Sequence, residues 1–252
     1  MATISMPGSA ITTVEGVSHS VGSYGISMAL DGAGNQHISF YNSSASSLMY
    51  AKFDGYSWNV EEVDNGGDSG QYSSIAIDSA GNPHISYVNS TPIPDAVMYA
   101  YHNGTAWAIE AIDETPYYAY DTSIDLDSSG NPHISYAVYN SSATSYNLRY
   151  SYHNGTDWVY EDIKDYRSSS WNSYANTGRN SQIKLNSTDV PHVVFFEDYY
   201  DDVYLSVRSN GTWTSSSVDD KGGYYTSSGE RAISLAIDSD DGLHIAYHTM
   251  YT

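Results

Sequence analysis

The sequence has no cysteine, so disulfides, thiolate metal centres and cysteine nucleophiles are excluded. Basic residues are scarce: 9 Lys and Arg stand against 30 Asp and Glu, for a formal net charge of -21. A field of that sign repels phosphate backbones and anionic lipid, which argues against nucleic-acid and membrane-surface partners. Yet only 15% of the 252 residues are charged and 40% are hydrophobic. The imbalance reflects missing Lys and Arg rather than surplus acid, so a disordered polyanion is a poor description. No stretch approaches the roughly 20 apolar residues of a membrane helix, and membrane insertion is not expected. Residues 1–10 carry neither the basic start nor the apolar core of a signal peptide. The expected location, extracellular or cell surface, therefore calls for a leader outside this sequence.

What the chain does have is a repeat. His37-Ile38-Ser39-Phe40 returns as His84-Ile85-Ser86-Tyr87, His133-Ile134-Ser135-Tyr136, His192-Val193-Val194-Phe195 and His244-Ile245-Ala246-Tyr247, at spacings of 47, 49, 59 and 52 residues. Five copies of a unit about 50 residues long match a four-stranded propeller blade. Within a unit the period is two and the residues are β-branched or aromatic. The second unit reads as strand A at Ser74–Ile77, strand B at His84–Val88, strand C at Val97–Tyr101 and strand D opening at Trp107. Asn103-Gly104, Asn154-Gly155, Asn210-Gly211 and Asp54-Gly55 close hairpins, because Asn, Asp and Gly tolerate positive φ. Asp31, Asp78, Asp127 and Asp238, with Asn186 as substitute, end strand A and can accept backbone N–H bonds across their own turn.

The fifth unit stops soon after strand B. Residues 4–17 align with residues 150–163, so strands C and D of the last blade are expected from the N-terminus. The expected architecture is an all-β, five-bladed β-propeller in one domain. Its blades run over about 24–64, 72–113, 120–163 and 180–218, with a fifth split between 2–17 and 224–252. Such a two-plus-two closure removes an exposed sheet edge.

The repeats Ile77-Asp78-Ser79-Ala80-Gly81-Asn82-Pro83-His84-Ile85-Ser86-Tyr87 and Leu126 to Tyr136 resemble those of secreted or surface propellers of bacteria and archaea, distantly similar to the sialidase-like, Asp-box propellers. The resemblance implies the fold. The Asp-box pattern Ser-x-Asp-x-Gly-x-Thr-Trp is itself absent, and only a turn Asp followed by Gly remains, so sialidase chemistry is not carried over.

Five recurring histidines could ring an axis and hold a metal. A feature present in every blade more often builds blades, and each His starts strand B beside its own turn Asp. Trp58, Trp107, Trp158 and Trp213 likewise read as packing residues. Function is expected where the blades differ, in the B–C and D–A loops of one face. The candidate ligand-binding residues there are Tyr117, Tyr118, Arg167, Trp171, Tyr174, Arg179, Tyr199, Tyr200, Tyr224, Tyr225 and Arg231. Aromatic rings stack on the apolar face of a sugar, while carboxylates and guanidinium groups bond its hydroxyls. Arg179 and Arg231 are equivalent, seven residues before Asn186 and Asp238. They either form an anion site or pair with neighbouring acids. Strand A carries Ala29, Ala76 and Ala236 at one position but Asp125 and Lys184 in blades three and four, which reads first as an inter-blade ion pair and second as a catalytic acid.

Asn-x-Ser/Thr sequons at Asn42, Asn89, Asn103, Asn140, Asn154, Asn186 and Asn210 would be available for glycosylation in an exported protein, but Asn-Gly-Thr is also hairpin chemistry. The expected function is a non-catalytic, lectin-like recognition module or adhesin that takes a glycan or a surface protein as partner and acts as a monomer. The alternatives are a protein-binding scaffold or surface-layer domain, and a glycoside hydrolase with axial carboxylates, for which Asp125 is the strand-A acid in view. No catalytic residue and no cofactor is assigned. The acidic loops offer oxygen ligands to calcium without any contiguous calcium-loop motif.

Overall fold

The computed structural model describes residues 21–91, 94–114, 116–140, 145–163, 178–197, 202–219 and 232–248. Every helix or strand element among them is a β-strand. The first blade comprises β1 (Val21–Leu30), β2 (Gln36–Asn42), β3 (Ser47–Phe53) and β4 (Trp58–Asp64). The second is β5 (Ser69–Ile77), β6 (Pro83–Asn89), β7 (Ala96–His102) and β8 (Trp107–Asp113). The third is β9 (Tyr118–Leu126), β10 (Pro132–Asn140), β11 (Ser145–His153) and β12 (Trp158–Ile163). The fourth is β13 (Gln182–Leu185), β14 (Pro191–Glu197), β15 (Asp202–Ser209) and β16 (Thr212–Asp219). A fifth sheet pairs β17 (Ala232–Ile237) with β18 (Leu243–His248). All pairs are antiparallel meanders, and the innermost strands neighbour one another in the order β1, β5, β9, β13, β17. The N-terminal segment expected to complete the fifth blade lies outside the described residues.

The core lies between blades. Because side chains alternate along a strand, each sheet can bury both faces, one against each neighbour. Strand β5 sends Ile75 and Ile77 toward Leu48 and Tyr50 of the first blade, and Ala76 toward Ile124 and Ile134 of the third. Tyr87, Tyr136, Tyr150 and Phe195 are fully buried; burying such a side chain contributes about 1.5–3 kcal/mol. Buried phenols need partners, and Tyr87 donates to Asp64 of the preceding blade at 2.7 Å while Tyr136 donates to Asp113 at 3.0 Å. Hydroxyls also bridge blades: Ser39 to Ser73, Ser86 to Thr122 and Ser135 to Ser181, at 3.1, 2.8 and 3.0 Å.

The turn residues do what their chemistry predicts. Asp78 Oδ1 accepts the N–H groups of Ala80 and Asn82, and Asp31, Asp127, Asn186 and Asp238 make the same two bonds. Burial pulls the Asp78 and Asp127 carboxyls up, but bonds from the Asn82 and Asn131 side chains and backbone outweigh it and hold both low. The histidines have a second partner that the repeat pattern did not single out. The Nδ1 atoms of His37, His84 and His133 lie 2.7, 2.6 and 2.5 Å from the hydroxyls of Tyr50, Tyr99 and Tyr150 on strand C. Each Nε2 faces the turn carboxylate at 3.4, 3.7 and 3.8 Å. That arrangement suits a neutral ring that accepts the phenol proton, and burial lowers the pKa of all three.

The tryptophans extend this column to the next blade. Trp107 meets Tyr50 edge-on at 5.3 Å and donates its indole N–H to Glu61 at 3.0 Å. Trp213 does the same with Tyr150 at 5.1 Å and Glu161 at 3.0 Å. Trp158 packs on Tyr99 at 5.2 Å, its indole nitrogen buried without a hydrogen bond. Imidazole, phenol and indole thus form structural columns that lock adjacent blades. Among the described residues, no group of three or more His, Asp or Glu side chains is arranged for a metal ion.

Candidate functional site

The turn-end face is uniform, so the opposite face carries the difference. There β1, β5 and β9 each break register at a bulge just before running straight. Tyr72, Asp121 and Asn180 occupy equivalent positions with φ of 54°, 53° and 55°, and Gly25 stands at the fourth with φ of 108°. Left-handed backbone at a non-glycine residue is costly and concentrates where a side chain must be re-aimed.

Around these bulges lies a cluster of tyrosines. Tyr120 touches Tyr72 at 5.4 Å, Tyr146 at 5.5 Å and Tyr118 at 6.4 Å between ring centroids. Tyr118 also meets Tyr117 at 4.7 Å and Tyr139 at 6.1 Å, and Tyr139 meets Tyr146 at 5.2 Å. The fourth blade contributes Arg179, whose guanidinium lies 4.6 Å over the Tyr120 ring and 5.5 Å over Tyr146. Its Nε donates to Asp121 Oδ2 at 2.8 Å, and the same oxygen accepts the Asn180 N–H at 3.1 Å. Burial opposes the charge on Arg179, but the Asp121 carboxylate outweighs it and raises the pKa.

A neighbouring acid sets the edge of the cluster. Asp95 is buried at the start of strand C in the second blade and accepts the Ala119 N–H at 2.9 Å, which pins the entry to β9. Burial pushes its carboxyl up, and the charge of Asp68 adds to the shift. Asp68 in turn accepts Tyr41 Oη and, at 2.8 Å, the Gln71 side chain. The face therefore presents a partly exposed aromatic surface with carboxylates and one guanidinium already fixed in place. Tyr117 is its most open member, at 46% exposure.

Of the candidates from the sequence, Tyr117, Tyr118 and Arg179 fall within this cluster. Arg167, Trp171, Tyr174, Tyr199, Tyr200, Tyr224, Tyr225 and Arg231 lie outside the described residues. Tyr72, Tyr120, Tyr139, Tyr146 and Asp121 are additional members that the sequence reading did not single out. Between an anion site and an acid pairing, Arg179 makes the pairing, with Asp121.

Asp125 sits elsewhere. It is five residues beyond Tyr120 on the same strand, roughly 16 Å at about 3.3 Å per residue, beside the turns of the opposite face. Its Oδ2 accepts the Leu185 N–H at 2.8 Å, and Lys184 Nζ lies 3.5 Å from Oδ1, the inter-blade ion pair expected from the sequence. A cavity of about 480 Å³ opens there, lined by Met28, Ile75, Ile77, Asp125 and Lys184. A second, of about 480 Å³, lies at the outer seam of the first two blades beside Tyr50, Glu61 and Asn82. Neither adjoins the tyrosine cluster. Asp125 therefore lies apart from the described tyrosine cluster.

Solved structures share this architecture at low identity. A Hadza microbial sialidase superposes with a TM-score of 0.58 and 10% identity, over 80% of this chain and 47% of its own. An alpha-L-arabinofuranosidase from Fusarium graminearum gives 0.61 and 11%, over 88% and 74%. A thermostable family-43 glycoside hydrolase gives 0.57 and 10%, over 94% and 86%. These likenesses show the β-propeller fold; the match spans less than half the length of the sialidase. No family model matches the chain, and no curated protein matches it in sequence.

Proposed function

We propose that the protein is a non-catalytic recognition module that binds a glycan on the tyrosine face. The observation that carries this reading is the Tyr72–Tyr118–Tyr120–Tyr139–Tyr146 cluster, held around the Arg179–Asp121 pair at the end where the blades differ. Aromatic faces on a rigid scaffold offer stacking surface at little entropic cost, and fixed polar groups at their rim serve hydroxyls. The ligand class follows from charge. Arg179 is committed to Asp121, and the chain carries a formal -21. A neutral sugar is favoured over a sialic or uronic acid. Fold neighbours that act on glycans agree with this assignment without determining it.

The hydrolase reading needs two carboxyls flanking one bond, about 5–9.5 Å apart. Hydrolases among the fold neighbours and, among the described residues, the raised carboxyl of Asp95 stand in its favour, but one Asp95 oxygen is occupied by the Ala119 N–H. Glycan-array screening, followed by calorimetry with the best neutral oligosaccharide, tests the proposal. Selective binding of neutral glycans without turnover is expected. Absence of binding across a broad panel, or release of reducing sugar, would refute it.

A further inference from the structure

Among the described residues the fifth blade is half a blade: β17 pairs with β18, and no described strand lies beyond β18. Across from it, the inner strand of the first blade lacks a cover. Met28 is equivalent to Ile75, Ile124, Ile183 and Leu235 by its pairing to strand B. Those four are 6%, 2%, 0% and 4% exposed, whereas Met28 is 62% exposed, with Ile26 at 63% and Leu30 at 58%. In the other blades the cover comes from strands C and D of the preceding blade. Leu48, Tyr50 and Val63 cover Ile75, and Leu148, Tyr150 and Ile163 cover Ile183. A bare apolar stripe on an innermost strand calls for the same.

We infer that residues 2–18 of the same chain supply this cover, as the third and fourth strands of the fifth blade, in one register: Ile4 at the place of Tyr150, Thr12 at that of Trp158, Glu15 at that of Glu161 and Val17 at that of Ile163. Pair matching between consecutive blades carries the register. Trp107 and Trp213 donate to Glu61 and Glu161 of the preceding blade. The fourth blade has Ser216 where Glu belongs, and the segment that follows it around the ring has Thr12 where Trp belongs. Glu and Trp are lost together there, and both return as Glu15 facing Trp58.

A second pair type agrees. Tyr87, Tyr136 and Tyr247 donate to Asp64, Asp113 and Asp219. Where strand B carries Phe195, the acid is replaced by Lys164; where it carries Phe40, the register places Ser18. A third pair type concerns the blades themselves. The Ser39–Ser73 kind of bridge becomes apolar on both sides at Val194 and Ile233. At the seam between the fifth and first blades, the equivalent residues are Ala246 and Ile26, also both apolar. Two pair types thus set the register of residues 2–18, and the third agrees with the fifth blade lying beside the first.

The absence of cysteine makes a direct test clean. In this register Ser5 lies opposite Ile245, so the Ser5→Cys/Ile245→Cys pair should oxidise to an intramolecular disulfide in the monomer and raise Tm by roughly 5 °C or more. A Ser5→Cys/Leu243→Cys control, two residues out of register, should keep its thiols. Free thiols in the first pair, equal cross-linking in both, or a cross-link found only between two chains would overturn the inference. A second measurement does not depend on disulfide geometry. Thr12→Trp with Ser216→Glu should restore the missing pair and raise Tm about 2–4 °C beyond the sum of the single changes. Strictly additive shifts would contradict the register.

Discussion

At the turn end the inner strands finish in Asp31, Asp78, Asp127, Asn186 and Asp238, and all five close their turns with the same two hydrogen bonds. Seven residues earlier in the sequence stand Tyr24, Gln71, Tyr120, Arg179 and Arg231. One end of each strand is a copied part and the other is individual. The sameness is explained by local chemistry, since an Asx turn, a neutral His and a buried phenol satisfy each other within a hairpin. The difference has no such local reason. Gln71 reaches Asp68, Tyr120 sits in a ring cluster, and Arg179 reaches back one blade to Asp121. A scaffold that fixes its own geometry at one end leaves the other free to vary without loss of stability.

That contrast can be broken in stages. The largest effect should come from the framework. Tyr136→Ala empties a fully buried site and removes the phenol bond to Asp113, which keeps its ion pair with Arg149, at a cost of about 3–5 kcal/mol. Tm should fall on the order of 10 °C, measured by calorimetry or circular dichroism, while any surviving folded fraction still binds glycan. Next is Arg179→Ala, which should weaken binding of a neutral glycan about tenfold, or about 1.4 kcal/mol, with a smaller shift in Tm. Equal loss of stability and binding would mean that the cluster is framework after all.

A third test uses pH. The folded-state pKa values of His37, His84 and His133 lie below 6.5 because burial disfavours the charged ring. The unfolded chain takes up protons first, so stability is complete above the ordinary His range and declines as pH falls below about 6.5. The low-lying carboxyls of Asp78 and Asp127 add a further loss only as pH drops through the acid range below 3.8. Denaturant midpoints at pH 7.5 and 5.5 check the sign; a midpoint unchanged or higher at pH 5.5 would exclude neutral histidines. The smallest effect should be Lys184→Met. Its side chain is 40% exposed, with Nζ 3.5 Å from Asp125, so the change should cost about 0–1 kcal/mol by denaturant titration and leave glycan affinity unchanged.

Much of the scaffold was legible in the sequence because it is written five times. His84, Asp78 and Trp107 each recur at blade spacing, and recurrence marks framework. The same signal could have found the phenols Tyr50, Tyr99 and Tyr150, which recur with the histidines; where Leu205 replaces the phenol in the fourth blade, His192 turns instead to the Val190 carbonyl at 2.9 Å. The site was legible only in part. Tyr117, Tyr118 and Arg179 stand where blades differ, which sequence can show. Tyr72, Tyr139 and Tyr146 join them through a bulge and a blade contact that no strand period encodes. Asp121 is 58 residues from Arg179, a pairing set by the ring alone. Asp125 was legible as far as its first reading went, the inter-blade pair with Lys184, because both stand where the other strands carry Ala.

The most direct measurement of the central claim is a calorimetric titration of one neutral oligosaccharide into the unmodified protein, Tyr120→Ala and Asp125→Asn, side by side. The tyrosine face as binding site predicts that the unmodified protein and Asp125→Asn bind alike while Tyr120→Ala loses binding and stays folded. Undiminished binding by Tyr120→Ala, or its loss in Asp125→Asn, would contradict it.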